Sequence, residues 1–199
     1  MHFDKIKMLQ PDLILCNKEE NTLDMVTELE PIAPVHISDI LDIDDTLDLI
    51  KQYGQLFKVE EVANCINNEI KKSHRKFKLF AEHQPRLKVA YLIWQKPYMV
   101  VGKDTFINAM LELNNFENVF SGLSRYPEIN LDDILQSEPE VIMLSSEPFP
   151  FSEKHQREIE ELFPKSKTVI VNGAYFSWYG SRLIAGFDYF KKLRQSLLS

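Results

Sequence analysis

The sequence predicts an α/β protein of two lobes with mostly parallel sheets, joined by a long backbone helix, with the first lobe incomplete. Residues 59–82 form the one long uninterrupted helical pattern, in which apolar residues recur mostly at intervals of three, four or seven. Short apolar runs alternate with amphipathic segments on both sides of this helix, an order typical of parallel sheets. Only two such runs precede the helix, and two strands are too few for a self-sufficient sheet.

These patterns divide the chain into a partial N-terminal α/β lobe at residues 1–56, a backbone helix at 57–84 and a C-terminal α/β lobe at 85–199. Acidic residues begin the long helix and basic residues end it, an order that complements the helix dipole. At 1.5 Å per residue the helix would be about 36 Å long, which suits a strut between lobes. A coiled-coil arm is the alternative, but the apolar stripe does not keep a strict heptad.

The first lobe is predicted to alternate helices and strands. Pro11 and Asp12 lead into the first strand, and Asn21 or Thr22 can cap the helix that follows. Asp44 and Asp45 open a later helix that ends near Gly54. The predicted helices are residues 3–10, 22–29 and 44–54, and the predicted strands are 13–16 and 35–37.

The second lobe begins with residues 88–94, the strongest strand by its β-branched and aromatic content. A polar loop containing Pro97 and Gly102 follows, and Tyr126 with Pro127 ends the next segment. Asn130 and Ser152 are the predicted caps of two helices. The remaining predicted elements are helices at 105–113, 131–136, 152–163 and 180–198, strands at 140–144 and 168–171, and an extended segment at 118–120.

Composition and charge exclude several classes of protein. The net charge of −7 argues against a nucleic-acid-binding protein, which usually carries a basic patch. Residues 1–50 hold 12 acids and 3 bases, so most of the acidity belongs to a solvated surface of the first quarter. No apolar run reaches the length of a membrane span. No export signal is visible, so we expect a cytoplasmic location for the chain as given, and a periplasmic or cell-surface one where an export signal precedes it.

The loops that follow the predicted strands of the second lobe carry most of the candidate binding groups. In an open α/β sheet, ligands bind beyond the carboxyl ends of the strands. Both tryptophans of the chain, Trp94 and Trp178, fall in these loops with several tyrosines and phenylalanines. Large aromatic faces suit a flat or bulky ligand. Alternatively these side chains only cover the edge of the sheet, but the cluster as a whole favours binding.

Enzyme signatures are scarce. The sequence has no Gly-rich phosphate loop, no His-Glu zinc motif and no nucleophile elbow. His155 and Glu158 are three residues apart on a predicted helix with no second histidine nearby, which favours a solvated face over a metal site. The sequence therefore predicts a binding protein, with no catalytic residues, no intrinsic cofactor and no metal ligated by the protein.

Four segments resemble the substrate-binding proteins of ABC importers for cobalamin and ferric siderophores, the helical-backbone (class III) periplasmic binding proteins. The segments are KIKMLQPDLILCNKEEN, YLIWQKPYMVVGKDTFINAML, RYPEINLDDILQSEPEVIMLSSEPFPF and NGAYFSWYGSRL. That family has two α/β lobes joined by one long helix, with the ligand held in the cleft between them. The resemblance covers nearly the whole chain but implies further N-terminal sequence, in keeping with a shortened first lobe.

The resemblance implies a metal chelate as ligand: a corrinoid, a haem or a ferric siderophore, recognised whole. Tryptophans and Tyr179 would stack on its rings, and Lys96 and Arg182 would pair with propionate, phosphate or carboxylate groups. For Arg182, an ion pair with Asp188 or Glu147 is the alternative. The implied ligand-binding residues are Asn17, Glu20, Trp94, Lys96, Tyr98, Ser146, Glu147, Trp178, Tyr179 and Arg182.

The same resemblance implies an ABC permease as partner. Family members dock through an acidic residue on each lobe; Glu19, Glu20 or Asp24 could serve on the first, but no equivalent acid lies near Trp178. A cytosolic relative acting as a sensor or interaction domain without a transport role is therefore the alternative, and an enzyme of the nitrogenase-like or chelatase-like relatives a weaker third. An incomplete first lobe would also expose a sheet edge, which predicts a homodimer.

Overall fold

The computed structural model describes residues 1–198, which divide into a unit at Met1–Ile40 and a second unit that begins at Leu41. The boundary between these units, after Ile40, does not coincide with the predicted boundaries after residues 56 and 84. The division into three segments stays a prediction. None of the helices within residues 1–198 combines the length and the apolar character that crossing a membrane requires.

The first unit alternates helices and strands as predicted. Its elements are α1 (Phe3–Met8), β1 (Ile14–Asn17), α2 (Leu23–Leu29) and β2 (Val35–Ser38). The two strands pair in parallel, with Ile14 opposite Val35. Thr22 is the N-cap of α2, because its hydroxyl accepts a hydrogen bond from Met25 N at 3.3 Å. The pairing of β1 with β2 confirms the prediction of parallel strands in this unit.

The second unit begins with two helices, α3 (Ile43–Leu56) and α4 (Glu60–Ala81). Asp44 and Asp45 lie in the first turn of α3 as predicted, and the cap is Asp42, whose carboxylate accepts a hydrogen bond from Asp45 N at 2.9 Å. The helix continues to Leu56, two residues beyond the predicted end near Gly54. The long predicted helix is confirmed as α4, which packs against both α3 and the final helix of the chain.

A six-stranded sheet forms the rest of the second unit. Its elements in order are β3 (Leu87–Trp94), β4 (Tyr98–Val100), α5 (Phe106–Leu113), β5 (Phe116–Asn118), β6 (Glu128–Ile129), α6 (Leu131–Ser137), β7 (Val141–Ser145), α7 (Glu153–Leu162), β8 (Lys167–Val171), α8 (Gly173–Ser177) and α9 (Arg182–Leu198). The strand order is β6-β4-β3-β7-β8, and β5 pairs with β3 outside this path. Strands β5 and β7 pair with β3 in parallel, and β8 pairs with β7 in parallel. Strand β4 is antiparallel to both of its neighbours, β3 and β6, so the sheet is mostly parallel as predicted.

Helices cover both faces of this sheet, because side chains of a strand point alternately to opposite sides. Ala90 and Leu92 of β3 belong to a buried cluster that includes Ile134 of α6 and Ile159 of α7. Tyr91 points the other way and contacts Phe176 of α8 at 5.1 Å between ring centroids. Phe176 in turn contacts Phe190 of α9, and Phe190 contacts Phe77 of α4. This second face ties α4, α8 and α9 to the sheet.

Four local predictions in the second unit are wrong. The polar loop after β3 contains β4, because a tight hairpin folds residues 98–100 back onto β3. The extended segment lies at 116–118 rather than 118–120, and β6 follows Pro127, where the segment was expected to end. Residues before Arg182 form the separate short helix α8, so α9 begins two residues later than predicted. These elements are two to five residues long, too short for a periodic pattern to be recognised.

Candidate functional site

The loops after β3, β7 and β8 meet at one edge of the sheet, because these strands are parallel neighbours. We refer to the surface formed by residues 94–98, 145–149 and 172–182 as the carboxyl-edge surface. Eight of the ten predicted ligand-binding residues belong to it. The other two, Asn17 and Glu20, belong to the first unit.

Trp178 and Glu147 form a direct contact on the carboxyl-edge surface. The indole Nε1 of Trp178 donates a hydrogen bond to Glu147 Oε1 at 2.7 Å, a distance typical of a bond to a carboxylate. Trp178 is nevertheless 60% exposed, so most of its ring faces solvent. The ring is therefore held at one edge and open on its face.

The loop that carries Glu147 is fixed from beneath by Ser145 and Tyr91. Ser145 Oγ donates to the backbone oxygen of Glu147 at 2.6 Å and accepts from the Tyr91 hydroxyl at 3.3 Å. Both residues are buried. Burial raises the pKa of Tyr91, so its hydroxyl stays protonated and remains a donor. These bonds preorganise the Glu147 loop.

Gly173 lets the loop after β8 pack closely against the Glu147 loop. A Cβ at this position would lie 2.3 Å from Ser145 Oγ and 2.7 Å from Glu147 Cγ, closer than real Cβ atoms approach other heavy atoms. The same glycine donates its backbone N–H to Ser146 Oγ at 3.0 Å. Ser146, a predicted ligand-binding residue, thus has a structural bond between the two loops.

Trp94 lies at the end of β3 in a group of aromatic rings. Its ring meets Phe149 edge to face at 5.6 Å, and Phe149 meets His155 at 5.2 Å. His155 Nδ1 accepts a hydrogen bond from Ser152 N at 3.0 Å, which completes the start of α7. Trp94 is 39% exposed, so this group supports a second, partly open tryptophan.

Lys96 and Tyr98 belong to the hairpin between β3 and β4. Lys96 is exposed and has a backbone φ of 65°, the left-handed conformation of a tight turn. The Tyr98 hydroxyl accepts a hydrogen bond from Gln95 Nε2 at 3.2 Å. The hairpin therefore places a cation beside the strand end that carries Trp94.

Arg182 begins α9 with its guanidinium 5.9 Å from the centroid of the Tyr175 ring, within the range of a cation–π contact. Tyr175 stacks on Tyr189 at 4.7 Å. The Tyr189 hydroxyl accepts from Asn172 N at 2.8 Å, and burial raises the pKa of Tyr189.

Neither ion pair proposed as the alternative for Arg182 forms. Among residues 1–198, no salt bridge joins Arg182 to Asp188 or to Glu147, whose carboxylate instead accepts from Trp178. Tyr179, three residues before Arg182, meets Phe106 edge to face at 5.8 Å.

Asn17 and Glu20 lie in the turn that follows β1 in the first unit. Asn17 Oδ1 accepts a hydrogen bond from Glu20 N at 2.7 Å, and Asn17 N donates to Asn21 Oδ1 at 3.0 Å. The Asn17 side chain thus shapes the turn, while the Glu20 side chain is exposed.

Sequence reasoning missed the residues that hold the carboxyl-edge surface in place. Tyr91, Gly173 and Tyr189 have no distinctive spacing, and their partners lie in other segments. The one available signal was a glycine in the loop after β8, two residues beyond the end of that strand. The structure also contains, within residues 1–198, no group of three or more His, Cys, Asp or Glu side chains placed to hold a metal ion.

Comparisons with known proteins agree with this fold. The model of the family described as periplasmic binding protein matches residues 1–168. No protein of curated function matches the sequence. Among solved structures, the periplasmic vitamin B12-binding protein of Vibrio cholerae has a TM-score of 0.83 at 15% identity, over 100% of this chain and 80% of that one.

Two further structures are similar. A periplasmic heme-binding protein of Pseudomonas aeruginosa has a TM-score of 0.82 at 15% identity, over 97% of this chain and 75% of that one. A protein of an ABC-type Fe3+-hydroxamate transport system from Saccharomonospora viridis has a TM-score of 0.75 at 18% identity, over 96% of this chain and 71% of that one. At such identities the likeness establishes the fold, the class III fold of periplasmic binding proteins.

Proposed function

The chain belongs to the periplasmic binding protein family, and from this premise we propose that it captures a corrinoid, haem or ferric-siderophore type of metal chelate for an ABC importer. The family consists of binding proteins rather than enzymes. The proteins similar in structure are named for vitamin B12, heme and Fe3+-hydroxamate, all metal chelates, which supports this class of ligand.

One observation carries the proposal: two partly exposed tryptophans lie in loops at the carboxyl ends of parallel strands. Trp178 is held at its edge by Glu147, and Trp94 rests against Phe149. Exposed apolar patches often mark ligand-binding grooves, and large aromatic faces suit a flat ligand. A face fixed in place loses little entropy when a flat ring stacks on it.

Charged side chains would orient the chelate. Lys96 and Arg182 are exposed cations on the carboxyl-edge surface, and both suit propionate, phosphate or carboxylate groups. Arg182 lies over Tyr175, which limits the positions open to its guanidinium. The participation of Tyr98, Ser146 and Tyr179, and of Asn17 and Glu20 from the first unit, belongs to the same proposal.

A tryptophan-fluorescence titration tests the proposal, because Trp94 and Trp178 are the two tryptophans of the chain. The ligands are cobalamin, haem and a panel of ferric siderophores, and parallel titration of N-acetyltryptophanamide corrects for light that the ligands absorb. We expect saturable quenching by one of them. Trp178→Ala and Arg182→Ala should each weaken its binding by about tenfold or more, the loss of about 1.4 kcal/mol.

Arg157→Ala is the matched control for Arg182→Ala. Arg157 lies on α7 with its guanidinium 3.4 Å from Glu153 and outside the carboxyl-edge surface. Its loss should leave binding unchanged. Quenching by none of the ligands, or equal weakening by both arginine variants, would contradict the proposal and favour a sensor or interaction domain without a transport role.

The permease partner and the periplasmic or cell-surface location follow from the transport role and are part of the proposal. Glu19, Glu20 and Asp24 are exposed in the first unit and would meet basic residues of a permease.

A further inference from the structure

We propose that Glu147 is the positioning residue of Trp178, and that its free carboxylate oxygen makes the ligand present a hydrogen-bond donor at this edge. This inference rests on the proposed function for its ligand and on the geometry of two loops for its mechanism. We refer to the part of the carboxyl-edge surface around Glu147 and Trp178 as the rim. The inference distinguishes a chelate that places amide, hydroxyl or ammonium groups at the rim from one that places carboxylates there.

The orientation of Trp178 depends on a single polar bond. Trp178 is the C-cap of the five-residue helix α8, and its ring is 60% exposed, so packing alone leaves it room to rotate. The bond from Nε1 to Glu147 Oε1 at 2.7 Å fixes the ring edge. Because stacking requires a ligand ring to approach the face of the indole, the bond limits the directions from which Trp178 can be stacked on.

Glu147 can perform this task because its own position is fixed. Ser145 Oγ holds the backbone of Glu147, and buried Tyr91 holds Ser145. Gly173 permits the contact between loops, since any larger residue would collide with Ser145 and with Glu147 Cγ. The backbone that carries the Glu147 side chain is therefore held in place, which limits the positions that its carboxylate can reach.

The second carboxylate oxygen determines the chemistry of the rim. A carboxylate accepts hydrogen bonds at both oxygens and donates none when ionised, and the indole bond occupies Oε1. Among residues 1–198, no basic side chain forms a salt bridge with Glu147. A ligand carboxylate beside it would be repelled, while an amide N–H would be bound. Acidic groups of the same ligand would turn to Lys96 and Arg182.

Fluorescence quenching without ligand tests the positioning role. In a Trp94→Phe background the emission comes from Trp178 alone, and iodide, caesium and acrylamide serve as anionic, cationic and neutral quenchers. We expect Glu147→Gln to raise iodide quenching relative to caesium by about twofold, because a local negative charge is removed. Acrylamide quenching should stay near the parent value in Glu147→Gln, whose amide oxygen still accepts, and rise in Glu147→Ala.

Glu161→Gln on α7 is the control, because it removes the same charge from an exposed site. Equal changes of the iodide-to-caesium quenching ratio in Glu147→Gln and Glu161→Gln would contradict the positioning role. The same conclusion would follow if Glu147→Ala left both acrylamide quenching and the NMR resonance of the Trp178 indole N–H unchanged.

Two probes that share the corrin ring but differ in its side chains test the chemistry of the rim. Cobinamide carries amides, and cobyrinic acid carries carboxylates. The parent should prefer cobinamide, and Glu147→Gln should shift the ratio of affinities towards cobyrinic acid by about tenfold. An unchanged ratio would overturn the rim preference. Binding of neither probe by the parent would refute the rim preference for corrin ligands, while the quenching results still decide the positioning role independently.

Discussion

His74 of α4 is a half-buried histidine in an apolar environment. Its ring stacks on Phe187 of α9 at 5.8 Å. Burial lowers its pKa below the usual value, the charge of Lys78 lowers it further, and Asp44 acts in the opposite direction. The folded protein therefore binds a proton at His74 less readily than the unfolded chain does.

Stability should consequently fall on mild acidification. Below a pH of about 6.5 the unfolded chain protonates His74 before the folded protein does, so the free energy of unfolding drops as pH falls through this value. We expect urea midpoints at pH 7.5 and 5.5 to differ more for the parent than for His74→Phe, which keeps the stacked ring. The parent and the variant share all other ionisable groups, so the contributions of those groups cancel when the two proteins are compared. Equal differences would contradict the prediction.

Arg194 is the residue that sequence reasoning could least foresee. Its guanidinium is buried, lies 4.4 Å from the centroid of Phe116 and donates to the carbonyl of Pro85, 109 residues away. Burial lowers its pKa to about 10. In the sequence, Arg194 looks like the neighbouring lysines of α9, which are exposed. Arg194 is buried because α9 packs against the start of β3 and of β5.

At the scale of elements, the crossing of α3 and α4 depends on Gly54. The sequence suggested that this glycine ends a helix, whereas it lies inside α3 where the next helix approaches. A Cβ at Gly54 would lie 2.6 Å from Ala63 Cβ. The absence of a side chain at Gly54 therefore allows α3 and α4 to pack closely. A sequence pattern does not distinguish such a glycine from one that ends a helix.

Gly54→Ala should destabilise the protein by about 1–3 kcal/mol, because the added methyl group overpacks the helix contact. Ala63→Gly removes the colliding atom, so the double variant Gly54→Ala with Ala63→Gly should recover part of the loss. Thermal or urea unfolding of both single variants and the double variant gives the coupling energy. A strictly additive result would show that the two positions do not collide.

At the scale of the whole molecule, the first unit has a sheet of two strands. No further strand among residues 1–198 pairs with β1 or β2, and Ile37 of β2 is 51% exposed. Unpaired strand edges invite pairing with another chain, so the homodimer expected from the sequence stays a prediction.

Light scattering at rising concentration should therefore show a growing dimer fraction, and Ile37→Lys should reduce it, because a charge on an edge strand opposes pairing. Leu79→Lys is the matched control, since Leu79 is 60% exposed on α4 in the second unit. A monomer at every concentration, or equal effects of the two lysines, would remove this prediction.

The resemblance of four segments indicated the class of protein. Sequence patterns predicted the alternation of helices and strands, the long helix α4, the helix cap at Asn130, and either Asn21 or Thr22 as the cap of α2. These features follow from apolar periodicity and capping residues, which act within a few positions of the chain. The sequence also indicated the loops of the carboxyl-edge surface, because strand ends of a parallel sheet share one side.

The contacts between side chains of distant segments are set by tertiary packing. Trp178 and Glu147 are 31 residues apart, and their bond exists because β7 and β8 are neighbours in the sheet and Gly173 leaves no Cβ between their loops. The short strands β4 and β6 likewise form because the hairpin returns beside β3. Contacts between distant segments depend on how the whole chain packs, and no local pattern encodes them.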